Sequence, residues 1–118
     1  METNEIFKIL KSILKQYESH LVVVHNKSDH YYLNTAITED NRKAEFFGSV
    51  QIKKSYVAFH LMPVYTNPEL MEETSQELKK RMQGKSCFNF KTVDDQLFDE
   101  LKILIERSFE KYKQFNKI

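Results

Sequence analysis

The sequence predicts an α+β fold, in which an antiparallel β-sheet carries an N-terminal and a C-terminal helix on one of its faces. Apolar residues recur at helical spacing near both ends of the chain, and short alternating segments lie between them. Most of these segments are joined as hairpins, which makes neighbouring strands antiparallel. The predicted order of elements is α-β-β-β-β-α-β-α.

Helices are predicted at the two ends of the chain. One apolar stripe with three- and four-residue spacing covers residues 4–18. A second stripe lines a last helix that is acidic at its start and basic at its end, as the helix dipole prefers. Thr92 and Asp95 match a capping box before this helix. The two stripes supply apolar surfaces that can cover the sheet.

A further helical segment is predicted between the fourth and fifth strands. Asn67 can cap its start, and Pro68 suits the first helical position. Ser75 offers a second cap, so residues 68–83 are predicted as one kinked helix or two short ones, which Gly84 closes.

Five strands are predicted from short β-branched or alternating segments bounded by turn residues. They cover residues 21–25, 30–35, 46–52, 56–62 and 85–91. The first four form two hairpins, with a polar loop over residues 36–43 between the hairpins. No repeat, linker or low-complexity stretch divides the chain, so residues 1–118 are predicted to form a single domain.

Composition and charge limit the classes of function. The chain has 18 basic and 17 acidic residues and a formal net charge of +1, so it lacks the basic excess that nucleic-acid binding uses. No apolar run reaches the ~20 residues of a membrane span. The start of the chain lacks the pattern of a signal peptide, and Cys87 has no second cysteine to pair with. We therefore expect a cytoplasmic protein that binds neither nucleic acid nor membrane.

Several cofactor motifs are absent from the sequence. The chain has two glycines, Gly48 and Gly84, so neither GxGxxG nor GxxxxGK[ST] occurs. It contains no HExxH and no CxxC. His25 and His30 flank the first hairpin turn and could hold a metal with Asp29, but a stable site needs three or four ligands. We expect no cofactor and no metal site.

Alternation along the strands predicts a semi-polar face on the sheet. In each strand one set of alternate residues is mostly Val, Phe, Leu or Ile, and the opposite set is polar or aromatic. The opposite set comprises Tyr32, Asn34, Ser49, Gln51, Tyr56, His60, Cys87 and Asn89. Uncharged polar and aromatic side chains suit a surface that is desolvated part of the time. The predicted ligand or partner site consists of Tyr32, Asn34, Tyr56, His60 and Asn89.

Three interpretations of this face are open at this point. A solvated face of an antiparallel sheet needs no binding function. A surface for an unknown small ligand or protein would use the Tyr, His and Asn side chains. A cysteine-dependent enzyme would use Cys87 as nucleophile, His60 as base and Asn89 to orient the base. A non-enzymatic binding domain is the interpretation that we carry forward.

Two runs in the second half of the chain form a recognisable pattern. The first reads FHLMPVY at residues 59–65 and continues as NPEL at residues 67–70. The second reads LKKRMQGKSCFNF at residues 78–90, and YYLN at residues 31–34 matches earlier in the chain. Together these runs resemble the YdhG-like family of bacterial domains, whose functions are mostly unknown. The resemblance implies one domain and assigns no catalytic residue.

Some members of that family look similar to frataxins, which bind iron on an acidic ridge on and near the first helix. The resemblance therefore implies an alternative function, an intracellular iron-binding or iron-delivery protein. In this chain lysines separate the acidic residues of the first helix: Lys8, Lys11 and Lys15 lie between Glu2, Glu5 and Glu18. No iron-binding residue is transferred to this sequence.

Overall fold

The strands form one antiparallel sheet. The computed structural model describes residues 2–39 and 42–118, so the predicted 36–43 loop lies partly outside the described residues. The strands are β1 (Leu21–Asn26), β2 (His30–Thr35), β3 (Phe46–Ile52), β4 (Val57–Leu61) and β5 (Cys87–Phe90). Their order in the sheet is β1-β2-β3-β4-β5. The sheet and its helices confirm the α+β class, and the order of elements approximately matches the prediction.

The helices lie before, within and after the strands. They are α1 (Glu2–Lys15), α2 (Met62–Thr66), α3 (Gln76–Lys79) and α4 (Asp95–Gln114), with 3-10 turns at Glu18–His20 and Pro68–Met71. No helix in the described ranges has the length and apolar character needed to cross a membrane.

Both long helices cover the same face of the sheet. Helix α1 contacts β3 and β4. Rings of α4 pack on rings of the sheet, with Phe109 6.2 Å from Phe47 and Phe98 5.1 Å from Phe90 between centroids. We call this side of the sheet the helix face. Its central strand residues are fully buried: Tyr31, Leu33, Val50, Val57, Phe59 and Phe88.

The register of β1 against β2 contains an extra residue. Val23 pairs with Leu33, whereas His25 pairs with the preceding residue of β2, Tyr32. Val24 therefore has no partner of its own and forms a β-bulge at the edge of the sheet. The bulge shifts every later residue of β1 by one position relative to β2.

A second bulge lies in β3. Gly48 pairs with Leu33, whereas Phe46 pairs with the next residue of β2, Asn34. Phe47 is the extra residue, and it is completely buried against α4. Phe46, beside it, is only partly buried.

The segment between β4 and β5 matches the prediction in part. Helix α2 begins at Met62, directly after β4, where no helix was predicted, whereas residues 68–83 contain two short helical pieces, one of the two predicted arrangements: the 3-10 turn that starts at Pro68 and α3. Asn67 does not cap a helix, because its side-chain amide donates to the Pro63 carbonyl at 3.1 Å, back into α2. Ser75 caps α3 through its hydroxyl, as predicted.

Two other predicted helix boundaries are wrong. Asp94 caps α4, in place of the predicted box of Thr92 and Asp95. Gly84 closes no helix, since α3 ends before it, and it adopts a φ of +87° in the turn that leads into β5.

Candidate functional site

The face of the sheet opposite α1 and α4 carries three rows of side chains, which follow the strand register. The first row is Val22, Asn34 and Phe46. The second row is His25, Tyr32, Ser49, His60 and Cys87. The third row is His30, Gln51, Ala58 and Asn89. We call these residues the open face. None of them carries a carboxylate, an ammonium or a guanidinium group.

Five rings contact one another in series across the open face. The rings of Tyr32 and Phe46 stack with centroids 4.6 Å apart, and the next ring, His60, lies 6.5 Å from Phe46. The rings of His25 and His30 stack at 5.0 Å. Both imidazoles are steeply inclined to the Tyr32 ring, at centroid distances of 5.6 Å and 5.8 Å. We call these five rings the aromatic strip.

The two β-bulges place two of these rings on the open face. Strict alternation along β1 would turn His25 towards the helices, but the extra residue Val24 sets it opposite Tyr32. Strict alternation along β3 would turn Phe47 outward, but the second bulge buries Phe47 and leaves Phe46 in the first row. The aromatic strip therefore depends on both irregularities.

Sequence reasoning missed Phe46 and assigned His25 no place on this face. The available signal was Gly48, because a glycine inside a strand often marks a bulge or a close backbone approach. Both features are present here. A Cβ atom on Gly48 would lie 3.1 Å from the His60 carbonyl oxygen and 3.4 Å from a methyl group of Leu14.

Four of the five predicted site residues lie on the open face. Tyr32, Asn34, His60 and Asn89 occupy register positions there, and each is partly buried. Tyr56 lies outside the strands, in the turn that precedes β4, and its ring is not part of the aromatic strip. The structure thus brings four of the residues together and leaves Tyr56 at the end of the sheet.

The surroundings of Cys87 favour a neutral thiol. Cys87 pairs with His60 across β4 and β5, but its thiol donates to Asn89 Oδ1 at 3.5 Å. Asn89 therefore contacts the thiol, whereas the enzymatic interpretation needed it to orient His60. Burial raises the pKa of Cys87, against a smaller opposing effect of the Lys53 ammonium. A thiol with a raised pKa is a poor nucleophile, because the thiolate is the reactive form.

The histidines of the first hairpin are arranged as stacked rings. The planes of His25 and His30 are inclined by only 26°. Within residues 2–39 and 42–118, no three His, Cys, Asp or Glu side chains form a group that could hold a metal ion. These two imidazoles contribute to the site as part of the aromatic strip.

Two imidazoles of the open face, those of His60 and His30, have lowered pKa values. Burial lowers the pKa of His60, and the nearby Lys53 ammonium lowers it further. Burial also lowers the pKa of His30, with a further contribution from His25. Asp29 opposes these effects at His30. His60 and His30 thus favour the neutral form near neutral pH, and the Lys53 ammonium lies close enough to both to contribute to this effect.

Asn34 contains a buried acceptor without a partner. Its Oδ1 atom accepts no hydrogen bond from the described residues. The side chain lies between Val22 on β1 and Phe46 on β3, which offer no donor. An unpaired buried acceptor costs about 1–3 kcal/mol.

Comparisons of the chain with known protein families, with curated proteins and with solved structures found no match.

Proposed function

We propose that this chain is a non-enzymatic, cytoplasmic binding domain whose open face docks against a protein partner. The aromatic strip carries the proposal, because it joins five rings across four strands without a charged residue in the rows around it. The centres of protein interfaces are rich in aromatic side chains and poor in charge. A face that is permanently solvated more often carries Lys, Glu and Thr.

The extent of the open face favours a protein over a small molecule. Neighbouring strands lie about 4.8 Å apart, so a partner that touches the whole strip spans roughly 15 Å. Small-molecule sites are usually concave, whereas this strip follows the face of a sheet. At the β1 edge the exposed side chains of Val22 and Val24 add apolar surface. Together these features fit a broad protein surface with an apolar centre.

The family and the compartment belong to the same proposal. The FHLMPVY and LKKRMQGKSCFNF runs support a YdhG-like domain. The single cysteine, Cys87, supports a reducing compartment. The raised pKa of Cys87 and the three lysines of α1 give no support to the enzymatic and iron-binding alternatives.

The experiment compares three immobilised proteins: wild type, Tyr32→Ala on the aromatic strip, and Ile103→Ala as a matched control. Ile103 lies on α4 and is 60% exposed, so its truncation also removes apolar surface but leaves the open face intact. We expect at least one cellular protein to be retained by wild type and by the control and lost by Tyr32→Ala. The purified partner should bind Tyr32→Ala about 1–3 kcal/mol more weakly than wild type in calorimetry.

Two outcomes contradict the proposal. Equal binding of every partner to wild type and Tyr32→Ala would show that the strip is not an interface. A small molecule found to bind at the aromatic strip would contradict the proposal that the natural ligand of the strip is a protein. Circular dichroism and urea unfolding of each variant establish that lost binding does not reflect lost folding.

A further inference from the structure

A groove separate from the open face lies beside α2. It has a volume of about 470 Å³ and runs between α2 with its following 3-10 turn and the turn that leads into β5. Its lining is almost entirely apolar and contains one charged group. The lining residues are Val64, Tyr65, Pro68, Met71, Met82, Gly84 and Lys85. No residue is shared with the open face.

The floor of the groove is continuous with the protein core. Val64 and Met71 are buried core residues, and Met82 packs against the core from the side. Tyr65, at 53% exposure, forms an apolar wall that water still reaches. Methionine side chains are unbranched and flexible, so two of them adapt readily to a flexible apolar chain. The volume lies within the usual range of small-molecule sites, about 300–1,000 Å³.

The single charge of the lining is the ammonium group of Lys85. It lies 6.0 Å from the centroid of the Tyr65 ring. Among the described residues the ion pairs involve other cations: Lys102, Arg107, Lys111 and Lys117. The groove thus combines an apolar lining with one cation, Lys85. The neighbour of this cation is the Tyr65 ring and not a carboxylate.

From this combination we infer that the groove binds a small aliphatic monocarboxylate. The carboxylate pairs with the Lys85 ammonium, and the alkyl chain lies against Val64, Met71 and Met82. Charge complementarity selects an anion, since no Asp or Glu lines the groove. The apolar lining with two methionines selects a flexible alkyl chain over a planar, polar ligand. This inference is independent of the proposed role of the open face.

The test is a titration of the full chain, with ¹³C-labelled methionine methyl groups, by straight-chain carboxylates from hexanoate to decanoate below their micelle concentrations. We expect saturable shifts at Met71 and Met82. Affinity should rise about fourfold with each added methylene, the value expected for burial of one CH₂ group. Octanol and octylamine are the uncharged and cationic controls, and both should bind at least tenfold more weakly than octanoate.

Substitutions of Lys85 distinguish the proposed pairing of its ammonium group with the carboxylate from nonspecific adsorption of the alkyl chain. Lys85→Met should weaken octanoate at least tenfold and leave octanol unchanged, whereas Lys85→Arg should largely retain octanoate binding. Lys54→Met removes an exposed lysine from the β3–β4 turn, and it should change neither the affinity for octanoate nor the affinity for octanol. Equal affinities for octanoate and octylamine, an unchanged affinity in Lys85→Met, or no saturable shift at Met71 and Met82 would each overturn the inference.

Discussion

The two faces of the sheet are formed by the same strands but differ in burial and in the side chains that they carry. On the helix face, Leu33, Val50 and Phe59 have no exposed surface and belong to one buried core with the apolar residues of α1 and α4. On the open face, Tyr32 and His60 are their chain neighbours, yet they are only partly buried and contact other rings. The comparison shows that the burial that stabilises the fold lies mainly on the helix face. The surface suited to recognition lies one residue away in each strand.

The largest expected effect separates neighbouring residues of β4. Phe59→Ala removes a fully buried ring and should lower the free energy of unfolding by about 3–5 kcal/mol. His60→Ala removes a partly exposed ring from the open face and should cost about 1 kcal/mol or less. Urea unfolding of both variants measures the difference. Similar losses would mean that the two faces contribute equally to stability.

A smaller effect is expected in β3, where a methyl group on Gly48 would crowd the backbone of the paired strand. Gly48→Ala places a Cβ atom 3.1 Å from the His60 carbonyl, which is backbone of the paired strand β4. The backbone has to shift to relieve this contact, so we expect the free energy of unfolding to fall by roughly 1–3 kcal/mol. Ser49→Ala, at the adjacent buried position, loses a hydroxyl but adds no atom against β4, so it is the matched control and should cost less than Gly48→Ala. A Gly48→Ala protein as stable as wild type would refute the close packing of β3 on β4.

One substitution on the open face should increase stability. Asn34→Val removes the unpaired buried oxygen and sets a β-branched residue opposite Val22, so the free energy of unfolding should rise by about 1 kcal/mol. If Asn34 is kept for recognition, the same variant should bind the partner of the open face more weakly. Thermal unfolding and the partner titration are measured on one preparation. Lower stability in Asn34→Val would show that the amide contributes to folding in its present position.

The smallest effect is a pH dependence that originates on the open face. Burial lowers the folded-state pKa of His60 and of His30 below the ordinary value of 6.5, so the unfolded chain binds protons more readily. Their contribution to stability is present above about pH 6.5 and is lost as the pH falls through the lowered folded-state values. Urea unfolding between pH 5 and 8 should show this loss, and His60→Gln should reduce it. Equal pH profiles for wild type and His60→Gln would contradict the assignment of this pH dependence to His60.

Alternation identified the candidate site where the strands are regular. In β2, β4 and β5 it assigned Tyr32, Asn34, His60 and Asn89 to one face, and the register agrees. It could not identify the rings that depend on bulges. Phe47 is buried because it packs on Phe109 and Tyr112, which lie far along the chain in α4. No local pattern around residue 47 contains that information.

The region between β4 and β5 shows a related limit. Asn67 followed by Pro68 is a typical helix start, but the Asn67 amide bonds back to Pro63 and terminates α2. Asn side chains bond to several nearby backbone groups, and tertiary packing decides which one they use. The 3-10 turn does begin at Pro68, as the signal predicts, but the Asn67 side chain bonds to the end of α2 and does not cap the start of that turn.

The bulge at Val24 also affects how the protein behaves at high concentration. β1 is an edge strand, and its apolar run, Leu21 to Val24, contains no charge that would repel another chain. An edge of this kind is a template for aggregation, because its outer backbone groups are free to pair with a strand of a second molecule. An extra residue interrupts that row of groups and twists it out of line. The irregularity that orients His25 therefore also protects the sheet against uncontrolled extension.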